Sequence, residues 1–198
     1  MKSLIISTIL LLSTFRISAQ NCHPGTFRKL EILSRKELVT DSEFTKALAL
    51  VKSLEKGNCV DYVKKRNGEE YVESGRTSLF GDVCLKNNSL TAVREYVNYM
   101  KRHNGSAEEE IGLSFEKLFA KHPEYVLSLV GYNKDLLNQL EWGFVNNNGF
   151  TSKNYRAVFF SINPEIKIVY PKYKKAIDYL LNEIGEEAKD WKTNKKGK

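Results

Sequence analysis

The sequence has few of the residues that bind metal ions or carry out redox chemistry, and it has few long apolar runs. Its 198 residues include three cysteines, three histidines and four prolines. No Cys-x-x-Cys pair occurs, which excludes a zinc ribbon or a thioredoxin-type motif as far as spacing can exclude one. Outside the N-terminus no apolar run approaches the ~20 residues that a membrane-spanning helix needs. We therefore expect no transmembrane segment in the body of the chain.

The overall composition is that of an ordinary globular protein. Hydrophobic residues make up 41% of the chain and charged residues 28%, which excludes collagen-like, purely coiled-coil and disordered proteins. At ~100–200 residues per domain, the length corresponds to one domain with a sizeable core. We predict a single helical domain over residues 20–184.

The first nineteen residues have the physical features of a cleaved export signal. Lys2 supplies a positive start, residues 4–12 form an apolar stretch, and Ala19 offers a small side chain before a cut at Gln20. The apolar stretch is too short to span a bilayer of ~30 Å, although an uncut N-terminal anchor is the alternative. The Ser-Ala-Gln ending resembles that of exported Gram-negative bacterial proteins. We therefore expect the mature chain to be periplasmic or secreted.

Positive charge is concentrated at the two ends of the chain. There are 31 Lys and Arg against 24 Asp and Glu, a formal net charge of +7. Residues 1–19 and 192–198 carry basic residues and no acid, so the body between them is close to neutral. A nucleic-acid groove needs Lys and Arg clustered on an ordered surface. We therefore expect no nucleic-acid partner, and a disordered basic tail over residues 185–198. A tail that binds anionic lipid or another polyanion is the alternative.

The three cysteines of the chain are Cys22, Cys59 and Cys84. An exported chain meets oxidising conditions, which permit disulfides. An odd number leaves at least one thiol free or paired between chains. A bridge between Cys59 and Cys84 would close a loop of ~25 residues, worth ~3 kcal/mol in the chain-entropy model. Three reduced cysteines are the alternative, and Cys22 lies too near the mature start to be the favoured partner.

Apolar periodicity and capping residues predict a series of short amphipathic helices. Asp41 or Ser42 suits an N-cap, as do Ser89 and Asn133. Ser106 with Glu109 has the pattern of a capping box, Pro123 suits a first turn, and Gly131 suits a helix end. The predicted helices cover approximately residues 27–38, 42–56, 90–103, 106–122, 123–130, 133–148, 152–162 and 171–184.

Two segments do not follow the helical period. Residues 70–85 contain two glycines and a mixed pattern, which fits a loop, a hairpin or an irregular turn. Residues 165–170 alternate, with Ile166, Ile168 and Tyr170 on one side, as in an edge strand. Neither segment supplies enough strands for a sheet-based core. The sequence therefore predicts an all-α fold.

Short loops between successive helices favour antiparallel neighbours. We predict an irregular bundle or a short stack of about seven to nine antiparallel helices. Residues 109–130, with Phe115, Leu118 and Phe119 on one face and Pro123 opening the next helix, resemble HEAT-like α-α repeats. The resemblance extends over about half the chain, and it lacks the ~40-residue period that such arrays show.

Motifs for catalysis are missing. The sequence has no phosphate-binding glycine loop, no Gly-x-Ser-x-Gly and no His-Glu-x-x-His. His23, His103 and His122 have no histidine partner at helical zinc spacing, so we expect neither a metal nor a cofactor. A helical hydrolase or transglycosylase needs only one well-placed glutamate, and Glu69–Glu70 or Glu109 are the residues that keep this alternative open.

Aromatic and amide side chains provide the remaining candidates for a binding surface. Exposed Tyr and Trp are favoured at binding hot spots, although most rings on such helices fill the core. We predict a non-catalytic module that binds an envelope or extracellular protein or a glycan. The residues chosen for its surface are Tyr96, Tyr99, Trp142, Asn146 and Asn147. Residues 146–149 are predicted to form a polar loop beside Trp142 at the rim of that surface, or simply a turn.

Overall fold

The computed structural model describes residues 24–59, 61–66, 69–103, 110–148, 153–162 and 164–194. Within these ranges the chain forms nine helices and one β-hairpin, and the predicted all-α fold is confirmed. In chain order the elements are α1 (Pro24–Ser34), α2 (Asp41–Lys56), β1 (Asp61–Arg66), β2 (Glu69–Gly75), α3 (Arg76–Asn87), α4 (Leu90–Arg102), α5 (Glu110–Lys121), α6 (Pro123–Val130), α7 (Lys134–Asn148), α8 (Tyr155–Ile162) and α9 (Glu165–Asn194).

Most of the predicted helix ends coincide with the capping residues. Ser89 Oγ accepts a hydrogen bond from Ala92 N at the start of α4, and Asn133 Oδ1 accepts one from Leu136 N before α7. Pro123 opens α6, and Gly131 ends it with φ +58°, a conformation that favours glycine. The predicted capping box of Ser106 and Glu109 lies outside the described residues.

The N-cap of α2 is Thr40, one residue before the predicted candidates. Its hydroxyl accepts a bond from Glu43 N, and the Glu43 carboxylate accepts one from Thr40 N at 3.0 Å. This is the reciprocal capping box. Asp41, predicted as a cap, instead occupies the first turn, where its negative charge suits the helix dipole.

The segment over residues 70–85 contains a strand and a helix. Strands β1 and β2 pair antiparallel from Asp61↔Gly75 to Arg66↔Glu69, with a bulge between Tyr62 and Val63. The chain then enters α3 directly, through Gly75, whose N-cap position has no side-chain hydrogen bond. A hairpin was among the predicted alternatives, whereas α3 was not predicted.

Helix α3 is central to the core. It packs against α1, α2, α4 and α5, and Phe80 in its middle is fully buried. Gly81 permits the contact with α5, because a Cβ atom at this position would lie 2.5 Å from Ser114 Cβ. Only a residue without a side chain allows the two backbones to approach so closely.

The structure of helix α9 differs from three predictions near the C-terminus. Residues 165–170 are helical, with Ile166 buried and Ile168 79% exposed. Pro171 lies inside the helix, which is kinked at Tyr173 (φ −114°, ψ 22°), as expected where proline removes a backbone donor. The helix continues through the buried Gly185 to Asn194, so the predicted helix end at residue 184 was wrong.

Candidate functional site

Tyr96 and Tyr99 do not form the predicted exposed surface, because both side chains are fully buried. Their rings pack against Phe80, with centroid distances of 5.9 and 5.4 Å. Tyr99 Oη accepts a hydrogen bond from Arg76 Nε at 2.8 Å and lies 2.6 Å from Thr77 Oγ1. These partners satisfy a hydroxyl that burial would otherwise penalise.

Arg76 and Glu55 hold His103 between them. Arg76 Nη1 donates to Cys59 O at 2.8 Å, and its Nη2 lies 3.5 Å from His103 Nδ1. Because a guanidinium only donates, Nδ1 accepts and the hydrogen is on Nε2, which donates to Glu55 Oε1 at 2.6 Å. Both ring nitrogens therefore have partners, and the arrangement ties α2, α3 and α4 together.

The carboxylate of Glu55 stays ionised in this cluster. Its partial burial raises the pKa, but hydrogen bonds from His103 and Arg102, together with the positive charge of Arg102, lower the pKa by more. Arg102 Nη2 lies 3.1 Å from Glu55 Oε1. The result is a charged, hydrogen-bonded group that stabilises the folded chain.

The residues predicted as a polar loop beside Trp142 lie in the last turns of α7. Trp142 is half-buried and Asn146 is exposed. Asn146 Nδ2 donates to Trp142 O at 2.8 Å, so part of its hydrogen-bonding capacity is used within the helix. Asn147 belongs to the same helix end. These residues form the end of a helix and not a loop rim.

The cysteines do not pair as the sequence predicts. Cys84 is a buried free thiol, whereas Cys59 is disulfide-bonded, so the suggested Cys59–Cys84 bridge was wrong. The remaining cysteine of the chain, Cys22, lies outside the described residues. Burial raises the pKa of Cys84 well above its usual value, and the negative charge of Glu95 raises it further. Such a thiol is a poor nucleophile and a poor metal ligand.

The other histidines add no site within the described part of the chain. His122 Nε2 lies 3.0 Å from Asn88 Oδ1 at the exposed junction of α5 and α6, and His23 lies outside the described residues. Among the described residues, no group of three His, Cys, Asp or Glu side chains could hold a metal ion.

A recess of about 480 Å³ lies between the α6–α7 turn and the middle of α9. Tyr132, which is 42% exposed, and Tyr179 form its aromatic wall, with their rings edge to face at 5.7 Å. Tyr179 Oη donates to Asn138 Oδ1 at 2.8 Å, which fixes the ring against α7. Asn182 also lines the recess and is exposed. We call this group the tyrosine recess.

Two ammonium groups lie over the tyrosine rings. Lys175 Nζ is 4.1 Å from the centroid of Tyr132, and Lys134 Nζ is 5.2 Å from that of Tyr179. These are cation–π distances. Neither lysine has a carboxylate partner among the described residues. Their positive charges are therefore available to an anionic ligand.

The one carboxylate that lines the tyrosine recess is already paired. Lys174 Nζ contacts Asp178 Oδ2, and Tyr170 Oη donates to Asp178 Oδ1 at 2.5 Å. The bonds from Lys174 and then Tyr170 lower the pKa of Asp178. Because the charges of Lys174 and Asp178 compensate each other, the positive character of the recess comes from Lys175 in its lining and from Lys134, which lies over Tyr179 beside it.

Periodicity alone could not have identified the tyrosine recess. Tyr132 lies in the turn after Gly131, and Tyr179 lies about 47 positions away in the middle of α9, so only tertiary packing joins them. A sequence signal does exist in the alternation of Tyr and Lys over residues 170–175. The predicted start of a helix at Pro171 split this pattern between a strand and a helix.

Glu141 is a carboxyl group whose acidity is strongly altered. Burial raises its pKa to about 7, with further contributions from the negative charges of Glu187 and then Glu183 on α9. Its Oε1 atom is buried and has no hydrogen-bond partner in the described structure. Glu141 does not line the tyrosine recess. The glutamates considered in the sequence are elsewhere, with Glu69–Glu70 at the start of β2 and Glu109 outside the described residues.

No known protein family, curated protein or solved structure matches this chain. The described helices include none that is both long enough and apolar enough to cross a membrane.

Proposed function

We propose that this chain is a non-catalytic binding module whose tyrosine recess takes an acidic oligosaccharide. The observation that carries the proposal is the placement of two carboxylate-free ammonium groups, Lys175 and Lys134, over the rings of Tyr132 and Tyr179. An aromatic wall, two amides and unpaired positive charge together match a ligand that has apolar ring faces, hydroxyl groups and anionic substituents.

Each part of such a ligand has a counterpart in the tyrosine recess. The exposed side of Tyr132 offers an apolar surface to a sugar ring. The exposed amide of Asn182, which lines the recess, and that of Asn138, which contacts Tyr179 beside it, offer donors and acceptors to hydroxyl groups. The two ammonium groups attract carboxylate or sulfate groups, and the attraction weakens with salt.

Export forms part of the same proposal. The leader-like residues 1–19 support it, and so does the disulfide at Cys59, because disulfides persist in oxidising compartments. N-terminal sequencing of the protein purified from its host tests this step. A chain that begins at Gln20 supports export with cleavage, whereas one that retains residues 1–19 contradicts cleavage.

In the binding experiment, the purified protein is titrated separately with a heparin tetrasaccharide, an uncharged chitotetraose and a tetraglutamate peptide, and the affinity for each is measured. We expect saturable binding of the heparin fragment by calorimetry, weakened when ionic strength rises from low to physiological values. Preference for the tetraglutamate would assign the recess to acidic peptides. Preference for chitotetraose, or no binding of any of the three, would contradict the proposal.

Matched variants connect that binding to the tyrosine recess. Lys175→Ala removes the ammonium over Tyr132, and we expect about 5-fold weaker binding, a loss of about 1 kcal/mol. Lys167→Ala removes an exposed lysine of the same helix that does not line the recess, and we expect no change. Tyr132→Ala removes the ring itself and should weaken binding about 10-fold or more.

A hydrolase or transglycosylase that uses a single glutamate is the second candidate. The raised pKa of Glu141 favours it, since a general acid must hold its proton near neutral pH. The burial of Glu141 Oε1 argues against this candidate, because a general acid must reach its substrate. Release of product from peptidoglycan or a soluble glycan by the wild-type protein, lost in Glu141→Gln, would favour this candidate.

A further inference from the structure

A second recess lies at the opposite end of the sequence, between α1 and α2. This groove has a volume of about 460 Å³ and an almost entirely apolar lining. Its walls are Ile32 and Leu33 from α1 and Ala49 and Leu50 from α2. Ile32 is 56% exposed, which is unusual for a large aliphatic side chain beside apolar neighbours. We call it the α1–α2 groove.

The two helices line the groove with the same pattern. Lys29, Ile32 and Leu33 occupy positions i, i+3 and i+4 of α1, and Lys46, Ala49 and Leu50 occupy the same positions of α2. Residues at this spacing share one helix face. Each wall therefore has two apolar side chains with a lysine one turn before them.

The lysines at the groove have no partners in the described part of the chain. No ion pair or hydrogen bond involves the ammonium group of Lys29 or Lys46. Nearby acids are already used, since Glu31 pairs with Arg35 and Glu43 with Lys36. The groove is therefore apolar along its floor and positive at its edges.

We propose that the α1–α2 groove docks an amphipathic helix of another protein, one with an apolar ridge flanked by acidic residues. Two helix walls with i, i+3, i+4 side chains can accept the ridge of a third helix, the common helix-in-groove mode of recognition. Acidic residues beside that ridge pair with Lys29 and Lys46. The groove and its partner are independent of the tyrosine recess and its ligand.

The positive charges beside the groove favour a different protein as its occupant over a second copy of this chain. A symmetric dimer through this groove would bring Lys29 and Lys46 against the same lysines of the other copy. Like charges at an interface are unfavourable and reduce association.

The test uses two designed helical peptides of about 18 residues. Both have leucines at i, i+3, i+4 and i+7. One has glutamates beside the leucines, and the other has lysines at those positions. Fluorescence anisotropy measures their binding to the purified protein. We expect the glutamate peptide to bind at least about 10-fold more tightly than the lysine peptide, a difference that two charge pairs can supply.

Charge reversal in the protein makes the assignment specific. In the double variant Lys29→Glu, Lys46→Glu we expect the preference to invert in favour of the lysine peptide. Lys52→Glu reverses an exposed lysine of α2 that does not line the groove, and it should keep the wild-type preference. Because all three positions are exposed, circular dichroism and melting should be unchanged and serve as the folding check.

Several outcomes would overturn the proposal. The preference could survive the double reversal, or both peptides could bind equally. Sedimentation could show a dimer that Ile32→Asp dissolves, which would assign the groove to a second copy. A fatty acid could displace the glutamate peptide stoichiometrically, which would assign the groove to a lipid.

Discussion

Arg76 Nε donates a 2.8 Å hydrogen bond to Tyr99 Oη, which joins the first residue of α3 to the last turn of α4. Both residues are buried. Hydrogen bonds that involve a charged group contribute about 1.5–3 kcal/mol each, and leaving a buried partner unpaired adds to the loss. Arg76 also reaches Cys59 O, just after α2, and His103, just after α4, so the ends of three helices meet around this bond.

Replacement of Arg76 should therefore destabilise the protein strongly. For Arg76→Ala we expect a loss of about 3 kcal/mol in the free energy of unfolding, because Tyr99 Oη and Cys59 O lose their donor. Tyr99→Phe, which removes only the hydroxyl, should cost about 1–2 kcal/mol. Urea denaturation followed by circular dichroism measures both. Arg28→Ala, at an exposed position of α1, should change stability by less than about 0.5 kcal/mol.

The contact between Gly81 and Ser114 gives a second prediction. In Gly81→Ala the new Cβ would lie 2.5 Å from Ser114 Cβ, so the helices must separate. We expect a loss of about 1–3 kcal/mol, as in other overpacked cores. Addition of Ser114→Gly removes the opposing atom and should recover part of the loss. A double variant as unstable as the sum of the single variants would contradict the close contact.

The acidity of Glu141 predicts a pH-dependent stability. The folded pKa is raised to about 7 from 4.5, so the folded chain holds a proton that the unfolded chain has released. Stability from this group is present below pH 4.5 and is lost as the pH rises to about 7. Because the side chain is partly exposed, the loss is about 1–2 kcal/mol, less than the full shift implies.

Glu141→Gln should remove that dependence. The amide stays neutral, so we expect the variant to be more stable than wild type at pH 8 and nearly equal to it at pH 4. Urea unfolding at both pH values measures the difference. Glu37→Gln, which neutralises an exposed carboxyl, should leave the pH dependence as it is. Parallel stability curves for wild type and Glu141→Gln would show that Glu141 ionises normally.

The thiol of Cys84 should be unreactive until the protein unfolds. It is buried, and both burial and Glu95 raise its pKa, while alkylation requires the thiolate. We expect iodoacetamide to leave Cys84 unmodified at pH 8 in the native protein and to label it in urea without reductant. Peptide mass spectrometry identifies the labelled residue, and Cys59 should be labelled only after reduction. Rapid native labelling of Cys84 would contradict its burial.

Helices with local start and stop signals were predictable from the sequence. Ser89, Pro123, Gly131 and Asn133 mark helix ends through hydrogen bonds or dihedral preferences of nearby residues. Those interactions depend on a few consecutive residues, so they can be predicted from the sequence alone. The signal and the resemblance to HEAT-like repeats stay predictions.

The remaining errors share a physical cause. The structure at these positions depends on contacts with residues that are far away in the sequence. The burial of Tyr99 depends on an arginine 23 positions earlier, and a buried arginine is not expected from composition. Pro171 suggested a helix start by itself, but residues from Glu165 onward are already helical, and the kink lies at Tyr173, where α9 packs on α6, α7 and α8. For the same reason, the tyrosine recess became visible only in three dimensions.

The N-terminus of α3 has a consequence for how the chain assembles. Gly75 provides no side-chain cap, and Arg76 places a positive charge at the positive end of the helix dipole. An isolated helix of this length is already marginal, and without a cap α3 should be unstructured as a free segment. Its helical form depends on α1, α2, α4 and α5 being present. The N-terminal half of the molecule should therefore fold and unfold in a single cooperative step, with no stable assembly of its helices two at a time.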